Sequence, residues 1–217
     1  GKMTALKNAA KQFVTNTVTK SATSKIGITA FSSSGYNKDY GSYKGSHGKS
    51  TELLTVGDNQ TELTSFIDNL IANGGTDPAV GLNEAYSKLK SAKENGDTLP
   101  KYVILFTDGE PTGTGNTWNS TAATAAENEA DRIKEKGIKI YTVGFALNDK
   151  TKAWLAGGKD GNTPYKGIAS KDCALTADNI DQLKTIFKEL QQTMTQSLDI
   201  KPAQIKDVID PRFTIIG

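Results

Sequence analysis

Apolar residues recur at two different periods along the chain, and the alternation between those periods outlines a fold. Met3, Leu6, Ala10, Phe13, Val14 and Val18 keep helical spacing, which predicts an amphipathic helix over residues 3–19. Residues 25–31 form a β-branched run that reads as a strand, and residues 50–56 read as a second, shorter one. Leu63, Phe66, Ile67 and Leu70 mark a helix capped near residues 59–61, and Asn73-Gly74-Gly75 breaks the pattern. Thr76-Asp77-Pro78 then opens another helix, with Pro78 in its first turn and Val80, Leu82, Ala85, Tyr86 and Leu89 inside. Val103-Ile104-Leu105-Phe106 has no polar alternation, as expected of a strand buried on both faces. A Gly/Thr-rich loop over residues 109–119 precedes a helix over 120–136, which Gly137 stops. Residues 138–145 read as another buried strand, 149–156 as a short helix, 164–169 as a weak strand and 178–197 as a strong helix.

Helices alternating with continuous apolar strands predict an α/β fold: a doubly wound, mostly parallel sheet with helices on both faces. A sheet of that kind begins with a central strand that feeds its first helix. Here the pattern opens on the helix. The expected architecture therefore lacks its first strand, so that residues 25–31 and 103–107 do not pair with each other. Each would present unpaired backbone groups along a buried edge, which a segment from outside these residues would fill. Residues 1–198 are expected to form the domain. Residues 199–217, with Pro202, Pro211 and the apolar run Phe213-Thr214-Ile215-Ile216, read as an exit segment.

Charge changes the picture only slightly. The 26 basic and 24 acidic residues leave a net +2, but residues 1–50 alone carry +7. Lys2, Lys7 and Lys11 lie along one side of the first helix, opposite its apolar side, which is the pattern of a solvated face. Only Arg132 and Arg212 offer the bidentate fork that phosphate and base edges favour, so a nucleic-acid partner is not expected. The run Tyr102 to Phe106 is far too short to cross a bilayer, so no membrane insertion is expected in this segment. One Cys and one His exclude a disulfide scaffold and a zinc finger. Cys173 reads as a small buried hydrophobe and His47 as a loop residue. Gly48-Lys49-Ser50 ends like a phosphate-binding loop but has Tyr43 where that pattern needs Gly.

Two motifs carry chemistry. Thr107-Asp108-Gly109-Glu110-Pro111 ends the most buried strand, where a carboxylate reaches the crevice that binds ligands in open α/β sheets. Gly75-Thr76-Asp77-Pro78 puts a hydroxyl and a second carboxylate just before a helix, where either side chain also suits a helix cap. The long loop over residues 32–48 carries Tyr36, Tyr40 and Tyr43, and the loop after Asp108 carries Trp118. Broad, stiff aromatic side chains of this kind suit partner recognition.

Together the two motifs and the element order resemble the von Willebrand factor A domain with its metal-ion-dependent adhesion site. That site joins Asp-x-Ser-x-Ser after the first strand, a Thr before a helix, and the Asp of Thr-Asp-Gly. Thr76 matches the second part and Asp108 the third, while Lys2-Met3 and Lys7 look like the helix that follows the first part. The resemblance implies that Thr76 and Asp108 ligate a divalent cation (Mg, Mn or Ca), with Asp77 and Glu110 acting through water. The Asp-x-Ser-x-Ser part is missing; Ser32-Ser33-Ser34 follows a strand but no Asp precedes it. Metal binding by these residues alone is therefore expected to be weak or absent. The segment Asp207-Val208-Ile209-Asp210-Pro211-Arg212-Phe213 looks like the exit of pilus-tip adhesins into a β-rich domain. The implied function is a secreted, non-enzymatic adhesion module on the cell wall or pilus of a Gram-positive bacterium, a setting associated with virulence. Its implied partners are a host extracellular-matrix or cell-surface protein and other pilus subunits. An intracellular scaffold of a multiprotein assembly, or a hydrolase or phosphotransferase using Asp108, remain open alternatives at this stage.

Overall fold

The computed structural model describes residues 1–33, 50–72 and 74–199. At its centre, β3 (Tyr102–Thr107) and β4 (Lys139–Phe145) pair in parallel, from Tyr102 opposite Lys139 to Thr107 opposite Gly144. A third parallel strand, β7 (Ala174–Ala177), pairs with the second half of β4. Side chains alternate across this sheet with the strand period of two. Val103, Leu105 and Ile140 face one layer, built by α3 (Pro78–Glu94) and α4 (Ser120–Glu135) through Leu82, Tyr86, Ala126 and Ile133. Ile104, Phe106, Tyr141, Val143 and Phe145 face the other layer, built by α1 (Lys2–Lys20) and α6 (Ile180–Asp199) through Ala5, Ala9, Leu183 and Phe187. Burial on both faces explains why β3 and β4 read as unbroken apolar runs. The expected α/β fold with helices on both faces is what forms.

A smaller unit lies beside this sheet. β1 (Lys25–Ile26) pairs antiparallel with β2 (Leu54–Thr55), and Thr29 bridges Ser50 further along. α2 (Val56–Asp68) follows at once and packs Val56, Leu63 and Ile67 against Val14 of α1. The strand expected over 25–31 is thus regular only at its start. α2 begins three residues before the expected cap, and Asn59 records the discrepancy: its backbone is non-helical (φ −125°, ψ 21°). Its side-chain amide donates back to the carbonyl of Thr55 at 2.9 Å, across the kink in the helix.

Among the described residues, β3 pairs with β4 alone, and β1 pairs with β2 alone. Between β3 and the segment 25–31 runs an apolar slot of about 1060 Å³. Leu6 and Phe13 of α1, Leu89 of α3, Ile28, Ile104 and Phe106 are among its lining residues. The two strands expected to face a gap do face one.

The last expected strand is misplaced. Residues 164–169 do not join the sheet. Thr163–Pro164 (β6) instead forms a small antiparallel hairpin with Lys159–Asp160 (β5), after α5 (Asp149–Ala156). The sheet's third strand is β7, whose Ala-Leu-Thr-Ala sequence is largely half-buried or exposed and, among the described residues, pairs only with β4. Cys173, just before it, is buried, and its thiol lies 3.3 Å from the carbonyl of Lys171, as a small core residue. No described helix is long and apolar enough to cross a membrane.

Candidate functional site

β3 ends at Thr107, whose buried hydroxyl donates to the carbonyl of Gly109 at 3.1 Å and tightens the turn. That turn lifts Asp108 out of the core, and its side chain keeps 52% of its exposure. The first residues of α1 meet it there. The Lys2 ammonium lies 3.8 Å from the Asp108 carboxylate and donates to the Asp108 carbonyl at 3.4 Å.

Thr76 arrives from a different part of the chain, in the connection between α2 and α3. A Cβ placed on Gly109 would lie 4.0 Å from the Thr76 hydroxyl, which sets that hydroxyl against the Asp108–Gly109 turn. The two residues singled out by motif therefore share one end of the sheet, beside the mouth of the slot. The fold also draws in residues that motif reading missed. The Thr76 N–H donates to the Thr112 hydroxyl at 2.9 Å, and the Thr76 carbonyl accepts from Thr112 and Gly113 N–H groups, each at 2.9 Å. On the other flank, the Asp77 N–H donates to the Ser32 carbonyl at 2.8 Å, and the Gly75 N–H donates to the Ser33 hydroxyl. Ser32 and Ser33 are buried. The serine cluster after residues 25–31 thus supports the Thr76 connection. Its burial had one visible trace in the sequence, three small polar residues following directly on an apolar run.

The other two carboxylates are engaged elsewhere. Asp77 is only 7% exposed and accepts from the Ala79 N–H at 3.2 Å, as the N-cap of α3 with Pro78 at its first position. Glu110 accepts from the Asn148 side-chain amide at 2.6 Å, and Asn148 in turn caps α5 through the Thr151 N–H at 2.9 Å. Trp118 packs edge-on against buried Trp154, with ring centroids 5.8 Å apart, and lies 5.7 Å from the Tyr165 ring. The Lys150 ammonium sits 4.2 Å over the Trp118 ring. Burial, then the acidic neighbours Asp160 and Glu127, push the Tyr165 hydroxyl above its ordinary pKa, so that ring stays neutral beside Trp118. Tyr36, Tyr40 and Tyr43 lie outside the described residues.

The donors that remain for a cation are the Thr76 hydroxyl and the Asp108 carboxylate. Among the described residues no group of three or more His, Cys, Asp and Glu gathers as a metal cluster. Magnesium takes six oxygens in near-octahedral array and calcium six to eight. Two donors fit one side of such a shell and do not complete it.

The family model for the von Willebrand factor type A domain matches residues 1–189. No curated protein matches the sequence. Among solved structures, the chain is similar to the pilus adhesin SpaC from Lactobacillus rhamnosus GG. That match has 19% identity and a TM-score of 0.66, over 89% of this chain and 28% of that one. A D319A mutant of the PilB minor pilin from Streptococcus sanguinis matches at 16% identity and TM-score 0.62, over 91% of this chain and 55% of that one. Proximal thread matrix protein 1 from the mussel byssus, with a zinc-occupied MIDAS motif, matches at 16% identity and TM-score 0.50, over 88% of this chain and 40% of that one. The chain thus spans between about a quarter and just over half of the proteins it resembles in fold.

Proposed function

The chain belongs to the von Willebrand factor type A domain family, and from that premise we propose that it is an adhesion module working through a divalent cation. The observation that carries this reading is the placing of the Thr76 hydroxyl against the Asp108–Gly109 turn at the end of β3. A neutral hydroxyl and a single carboxylate leave a dication short of negative charge, so it keeps affinity for a carboxylate from a partner protein. Asp77 and Glu110 act at most through water, because both side chains hold helix starts. The rest of the shell is the Asp-x-Ser-x-Ser that the family resemblance places ahead of Lys2. The strand that precedes that motif fits the apolar slot beside β3.

We read the module as a surface protein of a Gram-positive bacterium, binding a host matrix or cell-surface protein in the company of pilus subunits. The likeness in fold to a pilus adhesin and a minor pilin supports that setting. Residues 199–217 are read as the exit toward a following β-rich domain. Tyr36, Tyr40 and Tyr43 are read as the contact surface. Trp118, whose ring Lys150 covers, is read as a further contact residue. An enzymatic role is not part of this reading.

Calorimetry with Mg²⁺ and Mn²⁺ tests the site. Residues 1–217 should bind weakly, and the same chain extended upstream through Asp-x-Ser-x-Ser should bind tightly. In the extended chain, Asp108→Ala should weaken binding by at least about tenfold, since a carboxylate is the hard anionic ligand such ions require. An Asp108→Ala variant that binds as its parent does would place the site elsewhere.

A further inference from the structure

We propose that Thr112 is the positioning residue of this site, holding the Thr76 hydroxyl in place through the Thr76 backbone. The inference rests on Thr76 being a cation donor. Both backbone polar groups of Thr76 are taken up by the loop that begins at Asp108. The Thr76 N–H donates to the Thr112 hydroxyl at 2.9 Å, and its carbonyl accepts from the Thr112 and Gly113 N–H groups at 2.9 Å. The segments bearing the two donors are therefore laced to each other directly, although Thr76 and Thr112 are 36 residues apart.

The residue before Thr76 shows how close this lacing is. A Cβ on Gly75 would come within 2.5 Å of the Gly113 carbonyl oxygen and 2.8 Å of the Thr112 hydroxyl, so the approach requires glycine. From the opposite flank Ser33 accepts from the Gly75 N–H, and the Ser32 carbonyl accepts from the Asp77 N–H. The backbone at Thr76 is thus gripped from two sides. A threonine is stiff at χ1, so a fixed backbone leaves its hydroxyl few directions. An oxygen already held in position loses little freedom when an ion binds, and that saving appears as affinity.

Thr112→Val keeps the shape and the backbone donors but removes the acceptor of the Thr76 N–H. Thr112→Ser keeps the acceptor. Backbone amide NMR of residues 1–217 reads both consequences. In Thr112→Val the Thr76 amide should exchange with solvent about tenfold faster, the weight of one hydrogen bond, while the β4 amides keep their protection. The Mn²⁺ concentration that half-broadens the signals around Asp108 should rise by about the same factor. Thr112→Ser should return both towards the parent. Unchanged Thr76 exchange in Thr112→Val, or an unchanged Mn²⁺ titration in Thr112→Val alongside a weakened one in Asp108→Ala, would overturn the positioning role alone. A titration that Asp108→Ala leaves untouched would instead overturn the metal-site reading, and with it any role for Thr112 in holding a cation.

Discussion

The two edges of β3 stand in contrast. On the β4 side every residue from Tyr102 to Thr107 has a paired neighbour, and Ile140, Ile133 and Trp154 beyond it are buried without residue. On the β1 side an apolar slot opens, and the slot-facing Ile104 and Phe106 are half-buried. One strand thus belongs to a finished core on one edge and to an open seam on the other. The candidate site lies at the end of that seam. The finished side supplies rigidity to the Asp108 turn.

The contrast is tested most severely in the core. Ile140→Ala should destabilise the domain by about 3 kcal/mol, the usual cost of a buried cavity, whereas Ile104→Ala should cost about 1 kcal/mol or less because its site is already incompletely packed. Urea denaturation measures both, and equal losses would mean that the seam is packed as tightly as the core. Asp77→Ala should cost about 1 kcal/mol through loss of the α3 cap, yet leave Mn²⁺ affinity near that of the parent. A large loss of affinity would return Asp77 to the cation. Lys2→Met should strengthen Mn²⁺ binding by about threefold, as removal of an exposed competing cation implies. A weakening, read by the same titration, would mean that Lys2 helps to build the site.

The smallest effect concerns the far end of the seam. Asp97 has a side chain only 18% exposed, and it pairs with Lys101 at 3.2 Å and Lys25 at 3.6 Å. Burial alone would raise its pKa. The Leu99 N–H, the Lys101 hydrogen bond and the charges of Lys101 and Lys25 outweigh that and hold it below the ordinary carboxylate value. A carboxyl depressed on folding contributes stability that is fully present above its unfolded pKa and is lost as pH falls through the folded value. Asp97→Asn should therefore flatten the loss of stability below about pH 4, followed by thermal melts across that range. An unchanged acid limb would remove the pairing across the seam as a source of stability.

Much of the architecture was legible along the chain. α5 falls on the residues expected, and Thr76-Asp77-Pro78 opens α3 as read, because capping chemistry is local and a proline at the first turn has few other uses. The buried strands β3 and β4 announced themselves by unbroken apolar runs. β7 did not: a four-residue strand whose side chains are mostly half-buried or exposed carries little apolar pattern, and the hairpin at 159–164 drew the expectation to the wrong segment. For the site, Asp108 and Thr76 were visible as motif residues, whereas Thr112 read only as loop composition and Ser32 and Ser33 only as a serine run lacking the Asp of the adhesion motif.

By itself, then, the sequence determined the alternation of helix and strand, most of the caps, and the two motif residues, Thr76 and Asp108, at a helix start and a strand end. These follow from periods of 3.6 and 2 and from hydrogen bonds spanning a few residues, so they are written in short stretches of chain. Only the tertiary structure decided that Thr112 grips Thr76, that Lys2 faces Asp108, that Asp77 and Glu110 are occupied as helix-start partners, and that the seam beside β3 stands open. A hydrophobic pattern says that a face is buried but not against what. A polar side chain's partner across 36 residues is set by where the folded layers bring the loops together.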